Sequence, residues 1–272
     1  MKLNPAAFTG REKQMIPSYK SDLDFLLRDS IDDNFRGFSI HYQPQIDTRT
    51  GGLYGAEALA RWRCGKYGEV SPADFIPILE ENGKIVELGK WVFRKAAEQC
   101  RRWRRMLPDF RMSVNLSCRY LEQTDMSLFA QMTLARLGLP SESMILELTE
   151  SWPMHNGQAK EKMVHDLQKT GMKLAMDDFG SGYSSLLSLQ KFPFHLVKID
   201  KDFVKSTTRN DEQASLVPSL TQLCHNIGRQ VCLEGVETQE EFEAVRQLGI
   251  EVMQGFYFGH PVPPEEFERL YL

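Results

Sequence analysis

The chain has few cysteines, no long apolar run and no basic excess, and each shortage removes a class of protein. Its five cysteines, Cys64, Cys100, Cys118, Cys224 and Cys232, are scattered and never in a CxxC spacing. Neither a disulfide framework nor a zinc cluster is expected, and a reducing cytoplasm is the compartment that fits. No window approaches eighteen consecutive apolar residues, and the opening MKLNPAAFTGREKQ has no apolar segment, so no signal peptide or membrane span is expected. A net charge of −4 argues against a DNA binder held by a broad basic surface. The six histidines, His41, His155, His165, His195, His225 and His260, show no ligand spacing. GSGYSS has Ser185 where a dinucleotide fingerprint needs its last glycine, so its glycines read as loop mobility beside acidic residues. The basic run RKAAEQCRRWRRM, with Trp103 inside it, follows an apolar side of Val92 and Phe93 and includes Ala96, which predicts a solvated helix rather than a nucleic-acid patch.

What the chain does have is alternation. At 272 residues and 42% hydrophobic content it is long enough for one large barrel or two smaller domains. Short β-prone runs recur: FSIHYQPQI, GLYGAEALARW, RMSVNLS, MILELTE, KLAMDDFG, HLVKID, QVCLEGVE and VMQGFYFG. Between most of them lie segments with helical apolar spacing, several ending in Gly as helix C-caps do. The pattern predicts an α/β fold, a TIM-type (β/α)8 barrel. Only a turn separates the first two strands, too little for a helical crossover, so the first strand is expected to be antiparallel. Residues 1–20 are polar and punctuated by Pro and Gly, and read as a linker or junction remnant; residues 21–272 read as the domain.

KLAMDDFGSGYSS places Asp177 and Asp178 side by side at the end of an apolar strand. Successive side chains on a strand point to opposite faces, so the doublet predicts that the strand frays there and lets both carboxylates turn into one cavity. Carboxylates that close need a shared proton or cations, which leaves an acid pair or a metal site. Glu57, Asn115, Glu147, Lys198 with Asp200, Glu234 with Glu237, and Gln254 also fall at or near strand ends. Active sites of such barrels occupy that face. Taken singly, Glu57 could pair with Arg61, Lys198 with Asp200, and the amides could be ordinary barrel residues. Taken together they predict a carboxylate cup suited to Mg²⁺ or Mn²⁺ and to phosphodiester hydrolysis by two-metal, in-line displacement.

In order along the chain, YQPQID, GAEALARW, SPADFIPILEENG, VNLS, LELTES, DDFGSGYSSL, VKIDKDF, EGVET and QGFYFGHP resemble the motif series of bacterial EAL domains, phosphodiesterases of cyclic di-GMP. The resemblance runs from about Phe38 to Leu272. It implies hydrolysis of cyclic di-GMP to linear 5′-pGpG with two Mg²⁺ or Mn²⁺ ions, Ca²⁺ being inhibitory. By motif, Glu57, Asn115, Glu147, Asp177, Asp178 and Glu234 would hold metal. Lys198 would position the attacking water, Glu234 would be its base and Gln254 would assist. Gln43, Leu59, Arg61 and Asp200 would contact the dinucleotide, while Glu150 and Glu237 would anchor the DDFGSGYSS loop. A homodimer through the barrel side and an upstream regulatory domain are also implied. Leu233 before EGVE and the FYFGHP ending depart mildly from the family pattern, and no GGDEF-like cyclase motif is present. The competing expectation is a catalytically silent cyclic di-GMP receptor, or a phosphodiesterase for another cyclic dinucleotide.

Overall fold

The computed structural model describes residues 17–117, 126–149, 157–180, 189, 191–207 and 216–272. Helix α1 (Pro17–Asp32) precedes the hairpin β1 (Phe38–Asp47) and β2 (Leu53–Cys64), then β3 (Gly68–Val70), α2 (Pro72–Asn82), α3 (Ile85–Trp103) and β4 (Arg111–Asn115). There follow α4 (Met126–Leu137), β5 (Met144–Thr149), α5 (Gly157–Lys169), β6 (Lys173–Phe179), β7 (Leu196–Ile199) and α6 (Lys201–Thr207). The chain closes with α7 (Leu216–Asn226), β8 (Gln230–Leu233), α8 (Gln239–Val245), β9 (Val252–Gln254) and α9 (Pro264–Tyr271).

Eight of these strands close in the order β1-β9-β8-β7-β6-β5-β4-β2, with β1 pairing back to β2. β1 runs antiparallel to both neighbours, because the turn after Asp47 is too short for a crossover, and the other barrel pairs are parallel. The expected barrel with an antiparallel first strand is therefore the fold. β3 is a short addition outside the barrel, paired only to the end of β2 from Trp62↔Val70 to Cys64↔Gly68. At three residues it carries too little periodicity to be read from sequence. α1 begins at Pro17, inside the segment read as a linker or junction remnant, and buries Tyr19, Leu23, Leu27 and Ile31.

Local chemistry sets the helix ends. Ser71 caps α2 by accepting from Ala73 N at 3.3 Å, Pro72 starts it, and Gly83 at φ +82° ends it. Thr238 and Glu241 form a reciprocal capping box on α8. α3 buries Val92, Phe93, Ala96 and Trp103 while Arg101 and Arg102 stay exposed, so the basic run is a solvated helix face. Trp103 stacks on Phe267 with centroids 4.5 Å apart and donates Nε1 to Glu268 at 2.8 Å, which ties α9 to α3. Such a stacked pair contributes about 0.5–1.5 kcal/mol beyond its burial.

Inside the barrel, Tyr54, Ile145, Ala175, Leu196, Cys232 and Val252 form an apolar plug near the strand starts. Above it the inward positions turn polar: Gln45, Ser113, Glu147, Lys198 and Gln254 are all buried. Buried charges of this kind persist only when paired, and the pairing defines the site.

Candidate functional site

The acid doublet reaches the site by a route different from the fraying expected. β6 continues through Asp177 and Asp178 to Phe179. Its register against β7 shifts between Met176 and Phe179, and Asp178 sits at φ +56°. The left-handed residue interrupts the strict alternation of faces, so neighbouring carboxylates can converge without the strand ending. Asp177 and Asp178 meet Glu234, each offering a carboxylate oxygen within 4.8 Å of the others. Glu234 follows β8 and is held by its backbone N–H donating to Ile199 O at 3.1 Å. Gly235 then turns at φ +71°, where a Cβ would lie 2.1 Å from Lys201 Cβ. Only glycine lets the β8 loop pass this close to α6.

Lys198, at 1% exposure, stands at the centre of the cup. Its Nζ lies 2.6 Å from Glu147 Oε2, 2.8 Å from Glu234 Oε1, 3.0 Å from Asp177 Oδ1 and 3.4 Å from Glu57 Oε2. Glu57 is held from three sides, since Asn115 Nδ2 donates to Oε1 at 2.5 Å and Gln254 Nε2 to Oε2 at 2.7 Å. Asn115 thereby keeps its carbonyl oxygen, the hard donor, for another partner. Gln254 also donates to Gln43 Oε1 at 3.0 Å, and Gln43 donates to Gly259 O at 3.2 Å.

Negative charge is in excess. Burial pushes the Glu147 carboxyl well above its ordinary range, and the charge of Glu57 adds to it. Glu234 is pushed up to about 8, first by burial, with Lys198 opposing and Asp177 and Glu57 reinforcing. Asp178 is raised by burial and then by Asp177 and Asp200. For Lys198 burial works against the ammonium, but Asp177, Glu147, Glu234 and Glu57 together outweigh it and raise its pKa. One ammonium cannot neutralise five carboxyl groups, so the cup holds protons or takes up further cations. Two buried oxygens mark where. Glu147 Oε1 has no hydrogen-bond partner, and Asp177 Oδ1 lies near Lys198 Nζ but outside hydrogen-bonding geometry. Buried acceptors left so are costly, and an all-oxygen donor set suits Mg²⁺ or Mn²⁺.

The structure thus joins Glu57, Asn115, Glu147, Asp177, Lys198, Glu234, Gln254 and Gln43 in one bonded network and adds Asp178 through the carboxylate trio. Beside it lies a pocket of 290 Å³ reached by Gln43, Asp178, Asp200, Glu234, Glu237 and Phe256, among others. Asp200 does not pair with Lys198; its Oδ1 accepts from Asp202 N at 2.8 Å at the start of α6. Leu59 and Arg61 share Glu57's face of β2 by alternation. Arg61 donates Nη1 to Ala60 O at 3.0 Å and forms no ion pair with Glu57. Glu237 is exposed, and its backbone N–H donates to Glu241 at 2.7 Å. Glu150 lies outside the described residues, as does most of the loop both acids were expected to anchor. Gln45, Ser113 and Phe256 were not singled out from the sequence. Gln45 repeats Gln43 two residues on, a same-face signal, but its partner Gln254 is 209 residues away.

A closed barrel with an antiparallel first strand and a lysine-centred carboxylate cup on its strand C-termini defines a class, and sequence comparison gives the family. The EAL domain family profile matches residues 27–261, and the chain belongs to that family. It is 35% identical over 249 residues to the cyclic di-GMP phosphodiesterase PdeR of Escherichia coli, covering 92% of this chain and 37% of that protein. The bifunctional diguanylate cyclase/cyclic di-GMP phosphodiesterase MucR of Pseudomonas aeruginosa is 34% identical over 232 residues, 85% of this chain and 34% of MucR. The solved PaMucR phosphodiesterase in complex with c-di-GMP superposes with a TM-score of 0.84 at 33% identity, covering 90% of this chain and 99% of that one. The chain spans about a third of the length of the curated relatives it matches. Among the described residues no helix is long and apolar enough to cross a membrane.

Proposed function

We propose that this chain hydrolyses cyclic di-GMP to linear 5′-pGpG. The observation that carries the reading is the convergence of Asp177, Asp178 and Glu234 beside a lysine within ion-pair distance of four carboxylates. Glu57, Asn115, Glu147, Asp177, Asp178 and Glu234 are the residues that would hold two Mg²⁺ or Mn²⁺ ions. Bound there, the ions supply charge neutralisation at the phosphoryl oxygens and acidify a water.

The chain's own residues do the rest. Glu234, with its raised proton affinity, takes the proton from the attacking water. Lys198 Nζ, ion-paired with Glu234 and Asp177, holds that water and offsets charge developing at phosphorus. Gln254 keeps Glu57 aligned from the last strand. Gln43, Leu59, Arg61 and Asp200 receive the dinucleotide beside the 290 Å³ pocket, and Glu150 and Glu237 anchor the loop after Asp178. A homodimer and an upstream regulatory domain belong to the same proposal, the latter supported by the greater length of the relatives.

Incubating the protein with cyclic di-GMP tests it. Mg²⁺ or Mn²⁺ should support formation of pGpG, read by chromatography, and Ca²⁺, larger and looser in its coordination, should support little. Equal turnover in chelator and in Mg²⁺ defeats the metal reading. Tight binding with no cleavage under any metal makes the chain a receptor instead.

A further inference from the structure

One buried group in the network has no role in the mechanism above. Gln45, fully buried on β1, donates Nε2 to Gln254 Oε1 at 3.0 Å and to Ser113 Oγ at 3.4 Å, and the Ser113 hydroxyl lies 3.5 Å from Gln45 Oε1. The two strands meet here, Gln45 opposite Gln254 in the β1–β9 register. Gln254 directs its own amide nitrogen the other way, to Glu57 Oε2 and Gln43 Oε1.

A glutamine side chain has an accepting end and a donating end. Turned over, Gln254 would set its carbonyl against the Glu57 carboxylate and its NH₂ against the NH₂ of Gln45. Three hydrogen bonds, to Glu57 and Gln43 and from Gln45, would be lost, so the donor at position 45 reinforces the one orientation that the Glu57 carboxylate accepts. Neighbouring inward positions closer to the strand starts are apolar, as the plug of Ile145, Ala175 and Leu196 shows, so the interior packs without polar groups. An amide buried there is offset only by the hydrogen bonds it makes.

We propose that Gln45, anchored by Ser113, is a positioning residue: it fixes the Gln254 amide with its NH₂ toward Glu57 and so holds that carboxylate in the orientation in which it takes a metal. The proposal rests on the metal-dependent reading of the cup. Gln45→Met keeps the volume and removes the donor. Mn²⁺ affinity by calorimetry should fall about 10-fold, the usual effect of losing a group behind a ligand. In a Gln254→Met background the same substitution should change nothing, because its route is gone.

Unchanged affinity in Gln45→Met, or an equal loss in both backgrounds, overturns the assignment. Ser113→Ala, which leaves Gln45 in place, should give a smaller loss with the same dependence on Gln254. If Gln45→Met does not fold, this variant decides: no loss, or a loss that persists without Gln254, is contrary. An unmodified chain that binds Mn²⁺ but never cleaves cyclic di-GMP defeats the phosphodiesterase reading and leaves this comparison standing. One that binds no Mn²⁺ defeats both.

Discussion

Replacing Lys198 with methionine removes the cation that, among the described residues, sits between Glu57, Glu147, Asp177 and Glu234, whose oxygens surround it at 2.6–3.4 Å. The substitution keeps most of the volume, so the effect is electrostatic. Removing one partner of a buried ion pair costs roughly 3–5 kcal/mol, because the remaining charge is left in low dielectric. For a domain of this size each kcal/mol moves Tm by about 2–4 °C, which gives a drop of about 6–20 °C in chelator at pH 8. At pH 6 the drop should shrink, since carboxyls that have taken up protons no longer repel. Adding Mn²⁺ at pH 8 should recover part of it by supplying the missing positive charge. Scanning calorimetry under the three conditions measures all of this. A Tm within about 2 °C of the unmodified chain in chelator at pH 8 would refute the reasoning, as it would mean the four carboxylates do not depend on Lys198.

In the unmodified chain, Glu234 titrates near 8 when folded against an ordinary value of 4.5. The folded state thus holds a proton that the unfolded state has released, and stability in chelator should fall as pH rises from about 4.5 through 8. Saturating Mg²⁺ should raise Tm more at pH 8.5 than at pH 6, and a larger rise at pH 6 would contradict the sign. Glu234→Gln keeps the size and one oxygen; kcat should fall by roughly 10² to 10⁴ while cyclic di-GMP affinity measured in Ca²⁺ is largely kept. Normal turnover would remove Glu234 as the base. Arg61→Ala should leave Mn²⁺ affinity intact and raise KM roughly 10- to 100-fold, the worth of one charged hydrogen bond. An unchanged KM would place Arg61 outside the dinucleotide site.

The barrel was legible because each strand repeats the same local signal, a short β-prone run followed by a helical pattern, and because the acids recur at strand ends. Glu57, Glu147, Lys198 and Glu234 could therefore be assigned to one rim before their contacts were known. Their pairing could not. Asp200 shares strand spacing with Lys198, yet its carboxylate accepts from Asp202 N at the start of α6, a choice made where the strand stops. The bulge at Asp178 depends on register against β7, which no local pattern in KLAMDDFG encodes. α1 was missed because its sequence, PSYKSDLDFLLRDSID, adjoins a polar segment, and its stability comes from packing Leu23 and Leu27 on the domain rather than from propensity. Gln45 was not singled out, because its hydrogen bond to Gln254 forms only where β9 closes the barrel against β1.

In the proposed reaction, water activated among these carboxylates attacks phosphorus in cyclic di-GMP. Turnover with Mn²⁺ in ¹⁸O-labelled water, read by mass spectrometry of the product, tests it most directly. Attack by water should give pGpG carrying one ¹⁸O on its 5′-phosphate, and none formed in chelator. Unlabelled pGpG, or no product from a protein that binds both Mn²⁺ and cyclic di-GMP, would contradict it.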